Sequence, residues 1–467
     1  MNTRALVLAL SVALASCAGV RRDAPVDSAV RAPDAWHAPT SNAQMSPPHD
    51  WWKSFDDATL DDLVGEALLH SDDIALASTR VEEARAQFHL AHAQRLPNIG
   101  FSAVGARARD LNPGFGVAEE QSAGEAELQA SFDTDLFGRL KASSQAARAA
   151  LLSTEDARDT VRLAVASSVA SAYLTLTALD ARLKIVRQTL EARRNELHVE
   201  QRRFDAGYSS ALDLTQAQAE LAATEQLIPA TQLAIAKTEN GLSVLLGRTP
   251  GAIARGTAFD QLTVPTVPVA IPSVVVRSRP DVAAAENRLA ATDHALDAAR
   301  AAFLPDIQLA VSGGIVGSTL IDPSHIGIWS LGGSILAPLF DSGRLQAQQD
   351  AATAQRDEAA FAYRKTVLGA FHEVEDDLAA VALDEEQDEA LVRQRDVLTR
   401  TLQLATRRYR EGYSSYLDQL DAQRSLLSAE LALVQSHLDR FNAAVSLFQA
   451  TGGGWAPTES TATAASQ

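Results

Sequence analysis

The sequence predicts a mainly α-helical fold with a smaller β component, written as two copies of one unit. Three observations predict it. Arg203-Phe204-Asp205-Ala206-Gly207-Tyr208-Ser209-Ser210-Ala211-Leu212-Asp213 returns, at an offset of 205, as Arg408-Tyr409-Arg410-Glu411-Gly412-Tyr413-Ser414-Ser415-Tyr416-Leu417-Asp418. Gly138-Arg139-Leu140 and Ala217-Gln218 return at the same offset, while Leu96-Pro97 matches Leu304-Pro305 at 208. A long period that keeps its order over most of the chain means a duplicated fold with pseudo-two-fold symmetry, not a solenoid. Second, no proline occurs between Phe137 and Ile228 or between Leu339 and Ala456, which leaves room for helices of about 65 residues, about 100 Å long. Third, the hydrophobic period shortens to two residues once in each copy.

In chain order, residues 1–16 read as a leader: Arg4 supplies the positive start, Ala5 to Ala15 the apolar stretch, and Leu14-Ala15-Ser16-Cys17 a lipobox. Cys17 is the sole cysteine, so no intrachain disulfide forms, and it is expected to carry the lipid of a bacterial lipoprotein. Ala18 follows it, which favours sorting to the outer membrane. Residues 17–50, rich in Pro, Ala and Asp, read as an irregular lipidated tether. The first repeat is expected over 51–251, a linker over 252–272, the second repeat over 273–455 and a tail over 456–467. A helical pattern begins near Asp57, and the next ends at Leu96 before Pro97.

From Asn98, Ile99, Phe101, Ala103 and Gly105 alternate with Gly100, Ser102 and Val104; after a Pro113-Gly114 turn, Leu128, Ala130 and Phe132 alternate with Gln129, Ser131 and Asp133. In the second copy Ile307, Leu309 and Val311 alternate with Gln308, Ala310 and Ser312, and Trp329, Leu331 and Ile335 share one face before Pro338. Strands of about 10 residues are expected, enough to span an outer membrane when tilted. The helices after the tips carry seams with 3,4 spacing: Leu214, Ala217, Leu221, Thr224, Ile228, Thr231, Ile235, Thr238, Leu242 and Leu245 in the first, and Leu417, Leu420, Arg424, Leu427, Leu431, Val434, Leu438, Phe441, Val445 and Phe448 in the second. Such seams predict closely packed coiled coils. They do not superpose at the repeat offset, since Leu214 falls on Gln419, so the two copies are expected to pack differently.

Beyond the leader no stretch reads as a transmembrane helix, so strands must make any crossing. The net charge of −18 argues against a nucleic-acid partner, which needs a face rich in Lys and Arg. Four strands cannot close, and an open edge is not tolerated in lipid. The barrel is therefore expected to be shared: two chains would give eight strands and a filled interior, three would give twelve and a lumen. A lipid-anchored barrel continued by long coiled coils is a duct; on these residues the alternative is a lipid-anchored periplasmic coiled-coil scaffold without a pore.

At these residues the chain resembles the TolC-like outer-membrane efflux proteins, in particular the NodT-type lipoproteins of resistance-nodulation-division (RND) efflux systems. The marks are Trp51-Trp52-Lys53-Ser54-Phe55, Asp135-Leu136-Phe137-Gly138-Arg139, Leu245-Leu246-Gly247-Arg248-Thr249-Pro250-Gly251, Arg279-Pro280-Asp281-Val282, Pro338-Leu339-Phe340-Asp341, Glu373-Val374-Glu375-Asp376 and Gly452-Gly453-Gly454-Trp455. The resemblance implies a homotrimer with a twelve-stranded outer-membrane β-barrel and a long α-helical tunnel. It also implies a periplasmic adaptor (membrane fusion protein) and an inner-membrane RND-type pump as partners.

No cofactor and no active site are read. His89 and His92 lack a third ligand, His372-Glu373 is followed by Asp at 376 where a zinc helix needs His, and Gly313-Gly314-Ile315-Val316-Gly317 lacks the Lys of a phosphate loop. The repeated Gly-Tyr-Ser-Ser interrupts each helical stretch where a hairpin must reverse, with Gly supplying positive φ. By resemblance the tips at Gly207, Tyr208, Gly412 and Tyr413 receive the adaptor, and Asp213 and Tyr409 bridge neighbouring coils as part of a periplasmic gate. Asp418 and Asp421, one turn apart, would project as stacked carboxylate rings in a trimer. Ser414 stands where some relatives carry a gating Arg.

Overall fold

The computed structural model describes residues 25–38, 47–111, 118–319 and 325–456. The leader, Cys17, the Pro113-Gly114 turn and nearly all of the tail lie outside the described residues. Two compact units are formed, one by Arg80–Glu155 with Ala284–Lys365, the other by Val30–Thr79, Asp156–Ala283 and the chain from Thr366 onward.

The first unit is organised by a four-stranded antiparallel sheet in the order β1-β2-β3-β4: β1 Asn98–Leu111, β2 Ala118–Asp133, β3 Asp306–Ser318 and β4 His325–Leu336. At 14, 16, 13 and 12 residues the strands exceed the expected length, because pairing continues past the apolar segment into polar positions such as Arg107 and Glu120, which bridge at 2.7 Å. The register aligns Ile99–Ala130–Val311–Leu331 and Phe101–Leu128–Gly313–Trp329 across the sheet. Side chains alternate in a strand, so these apolar rows share one face. Glu125, Glu127, Gln129, Ser131, Gln308, Ser312 and Ser330 share the other.

The second unit is helical. Helix α1 (Ala58–His70) is capped by Asp57, whose carboxylate accepts from Thr59 N and Leu60 N. A short 3-10 turn over Trp51–Phe55 precedes it. Trp51 and Phe55 are fully buried, and Trp51 stacks on Phe448 with centroids 5.1 Å apart. Around them lie Val165, Val169, Tyr173, Leu174, Leu242 and Phe441. A pin holds this core: Tyr173 Oη donates to Asp57 Oδ2 at 2.9 Å, Thr257 N donates to the same oxygen, and Gly256 N donates to Tyr173 Oη. Burial, with the neighbouring Asp57 carboxylate, pushes the Tyr173 hydroxyl up to about 12, so it stays protonated and donates. The segment ahead of Trp51 also docks here, with Trp36 Nε1 donating to Ala270 O at 2.8 Å.

Two helices of 67 residues dominate the chain, α3 (Arg139–Asp205) and α8 (Arg344–Arg410). Both their starts and their ends lie 205 residues apart, so the sequence repeat is a repeat of elements. The shorter helices are α2 (Asp72–Ala93), α4 (Ala211–Glu225), α5 (Leu227–Leu245), α6 (Pro272–Arg277), α7 (Pro280–Ala301) and α9 (Tyr416–Ala450). An 18-residue window of α3 is apolar enough to cross a bilayer by length and composition, contrary to the sequence reading. Its Val165, Ala166, Val169, Ala170 and Leu174 are buried in the protein core, which accounts for the apolarity.

Two further expectations are corrected. The first seam is not one helix: it breaks at Gln226, because Pro229 brings no N–H and its ring crowds the carbonyl four residues back. Position 434, the counterpart of 229, is Val, and α9 runs unbroken for 35 residues. The second seam also departs at its start, where Leu417 and Arg424 are exposed and Tyr416, Gln419, Leu420 and Ala422 are buried. With that shift the buried positions of the two copies do superpose: Leu214 with Gln419, Ala217 with Ala422, Thr224 with Ala429, Thr231 with Ser436 and Leu242 with Leu447. The copies share a packing frame and differ in polarity.

Candidate functional site

The two hairpin tips are closed by the same hydrogen bonds. At the end of α3, Tyr208 N donates to Arg203 O and Gly207 N to Phe204 O; at the end of α8, Tyr413 N donates to Arg408 O and Gly412 N to Tyr409 O. Gly207 and Gly412 have φ of 79° and 80°, the left-handed turn that ends a helix and that a Cβ disfavours. The next helices start with capping boxes: Ser210 Oγ accepts from Asp213 N and Ser415 Oγ from Asp418 N, and each aspartate accepts the serine N–H in return. The motif Gly-Tyr-Ser-Ser-x-x-Asp therefore encodes a stop, a reversal and a start.

Beneath the tips the copies interlock through residues that differ between them. Tyr409 is buried and donates its hydroxyl to the buried Glu200 Oε2 at 2.8 Å. Ser209 Oγ reaches the same oxygen at 3.0 Å, and the Arg203 guanidinium lies 4.7 Å from the Tyr409 ring centroid. Burial, then the Glu200 contact, pushes the Tyr409 hydroxyl well above the usual phenol range, and burial with the Glu196 and Glu200 charges does the same to Tyr416. Tyr409, Tyr416, Leu420 and Ala217 form a small core of their own. Further along the helices, Arg193 Nη1 donates to Glu220 Oε2 at 2.6 Å with both residues buried, and Arg424 Nε donates to Glu220 Oε1 at 2.6 Å. Glu196 accepts from Gln423 at 2.6 Å and also from Gln419; burial holds its carboxyl above the ordinary range.

The residues singled out in the sequence are thus engaged as follows. Asp213 and Tyr409 do not bond each other within the chain: one caps α4 and the other is held by Glu200. Asp418 caps α9, while Asp421, exposed, lies 3.5 Å from Arg424. Tyr208 and Tyr413 are 80% and 73% exposed, so both tips present an aromatic ring to solvent. Ser414 Oγ has no hydrogen-bond partner among the described residues, whereas its counterpart Ser209 bonds Glu200. Glu200, Glu196, Arg193 and Glu220 carry no motif that marks them in the sequence; the one signal is Arg424, a charged residue on an otherwise apolar seam. Among the described residues no group of three or more His, Cys, Asp or Glu could hold a metal ion.

The sheet supplies the second feature. Trp329, Leu331 and Ile335 are 81%, 75% and 72% exposed, and Ile99 and Phe101 on the same face are similarly bare. β1 and β4 have no partner on their outer sides among the described residues. A face this apolar beside unpaired edges is foreign to a sheet in water.

The family model for outer membrane efflux proteins matches residues 63–248 and 271–453. The chain belongs to the outer membrane efflux protein family. A pyoverdine export outer membrane protein of Pseudomonas putida is 34% identical over 458 residues, 96% of this chain and 97% of the relative. A cation efflux system protein of Escherichia coli O6:H1 is 34% identical over 410 residues, 87% of this chain and 88% of its own. Among solved structures, the outer-membrane channel OprN superposes with a TM-score of 0.84 at 28% identity, covering 93% of this chain and 99% of that one. The open-state MtrE channel of Neisseria gonorrhoeae superposes at 0.83, with 28% identity and coverage of 94% and 99%. As a member of this family, the protein is an outer-membrane channel component of an efflux system, with a mainly helical fold that joins barrel strands to a helical tunnel.

Proposed function

We propose that three copies close one twelve-stranded barrel, that Cys17 carries the lipid anchor, and that the helical tips meet a periplasmic adaptor linked to an inner-membrane RND-type pump. The observation that carries this reading is the sheet: one exposed apolar face, a polar opposite face with Glu125 and Glu127, and two edges unpaired among the described residues. Closure by a neighbouring chain satisfies the edges and leaves the apolar face to lipid. Eight strands from two copies would be filled by side chains, whereas twelve leave a lumen.

At the tips, Gly207 and Tyr208 with Gly412 and Tyr413 form two similar knobs per chain, six in the trimer, for adaptor hairpins. Asp213, Tyr409, Asp418 and Asp421 are assigned to the periplasmic gate. Relatives are named for exporting pyoverdine, toluene and cations. Such unlike solutes fit a passive duct whose cargo the pump selects. A photo-crosslinking residue placed at Tyr208 or Tyr413 in cells should yield adducts with a periplasmic adaptor. Adducts at neither tip would remove the docking assignment.

A further inference from the structure

Between α3, α8, α9 and the segment 255–260, the helical unit holds a cavity of about 610 Å³. One wall is apolar: Ile185 of α3, Phe259 of the segment, and Leu433 and Val434 of α9 line it, with Phe259 and Leu433 buried. Phe259 packs edge-on against Phe441, ring centroids 5.6 Å apart, so this wall is set before anything binds. A smaller cavity of about 250 Å³ adjoins it, sharing Ile185, Gln188 and Glu430 and adding Leu402, Leu426 and Leu427. The two make one groove along α3 and α9.

Charge decides what such a groove accepts. Each cation that lines it already has a carboxylate of its own. Arg255 is bound by Asp180 and Glu239, both at 2.7 Å, and Arg395 by Asp396 at 2.8 Å. Lys184 faces Asp260 at 4.0 Å, and His437 lies 3.1 Å from Asp388. In the smaller cavity Arg193 is held by Glu220 at 2.6 Å. Glu430 is the exception: half-buried where the two cavities meet, it makes no hydrogen bond or ion pair among the described residues. Burial raises its carboxyl above the ordinary range, against the pull of Arg395. A carboxylate left half-buried without a partner is a cost that a bound cation removes.

We propose that this groove is a binding site for a cationic amphiphile, with an ammonium at Glu430 and an aromatic or alkyl body against Phe259, Leu433 and Val434. Its size and make-up suit a small molecule, since ligand pockets of about 300–1,000 Å³ combine mostly apolar walls with a few placed polar groups. An anion of the same shape would meet Glu430 and be rejected. The site belongs to the helical unit of one chain and uses no residue of the sheet or the tips, so it stands apart from the barrel and docking assignments.

The test is photolabelling of the full-length protein in lipid nanodiscs with a benzophenone carrying a short alkylammonium chain, beside its alkylsulfonate analogue, with adducts mapped by peptide mass spectrometry. The ammonium probe should label α9 around Leu433 and Val434 saturably and severalfold more than the sulfonate. Glu430→Gln, which keeps the shape, should cut that labelling severalfold, and Val434→Trp, which fills the groove, should abolish it, with thermal transitions showing that both variants fold. Equal labelling of the parent by the two probes overturns the site and needs no variant. Labelling unchanged in folded Glu430→Gln also overturns it. So does the absence of any α9 adduct in the parent, the result expected if a second copy covers the groove.

Discussion

Tyr409 shows how much a single position can decide. In the first copy its counterpart is Phe204, and the counterpart of Glu200 in the second copy is Ala405. One copy therefore supplies the acceptor and the other the donor, and the bond between them joins the ends of α3 and α8. Tyr409→Phe removes the donor and leaves Glu200 buried with Ser209 alone. The variant should lose about 1–3 kcal/mol of stability, read as an earlier thermal transition, while Phe204→Tyr should not compensate. Asp377 is a second residue with a measurable signature. Burial, reinforced by the charges of Glu373 and Asp376, raises its carboxyl to about 7 against the pull of Arg279. A carboxyl raised in the folded state holds its proton longer than in the unfolded chain, so stability falls as pH climbs from about 4 to about 7. Asp377→Asn should flatten that decline, melting above the parent at pH 8 and close to it at pH 4 in thermal scans. A pH-independent difference between the two proteins would contradict the assignment.

At the scale of elements, much was legible. The 67-residue helices, the strand pairs and the reversal at Gly-Tyr-Ser-Ser all follow from local rules: proline absence, period-two alternation, and a glycine ahead of a serine cap. Harder features depend on partners far along the chain. The break before Pro229 is not legible in the seam, because its 3,4 pattern continues unbroken from α4 into α5. The Arg193–Glu220–Arg424 cluster lay hidden because buried charges look like surface charges until their partners are known. Leu331 belongs at this scale, since its β4 is an edge strand whose apolar row faces outward. Leu331→Arg should cost about 2 to 4 kcal/mol per site in a bilayer midplane and block assembly, seen as loss of heat-modifiable oligomers in outer-membrane fractions. A fully assembled Leu331→Arg oligomer would place that face away from lipid.

For the whole molecule, family membership defines an efflux channel, and the open sheet makes that channel an assembly of chains. If Asp418 and Asp421 ring the helical mouth, they concentrate carboxylates in a narrow passage where low-dielectric walls strengthen their field and enrich cations. The identity of the solute lies outside what one chain encodes, because a wide wet duct needs no binding pocket. The measurement that reaches the central claim most directly is single-channel recording of the purified protein in a planar bilayer. Discrete conductance steps are expected from the parent, with cation preference reduced in the Asp418→Asn, Asp421→Asn double variant and the steps lost in Leu331→Arg. A folded, helical, membrane-bound protein that never conducts would contradict the duct and return the chain to a lipid-anchored scaffold.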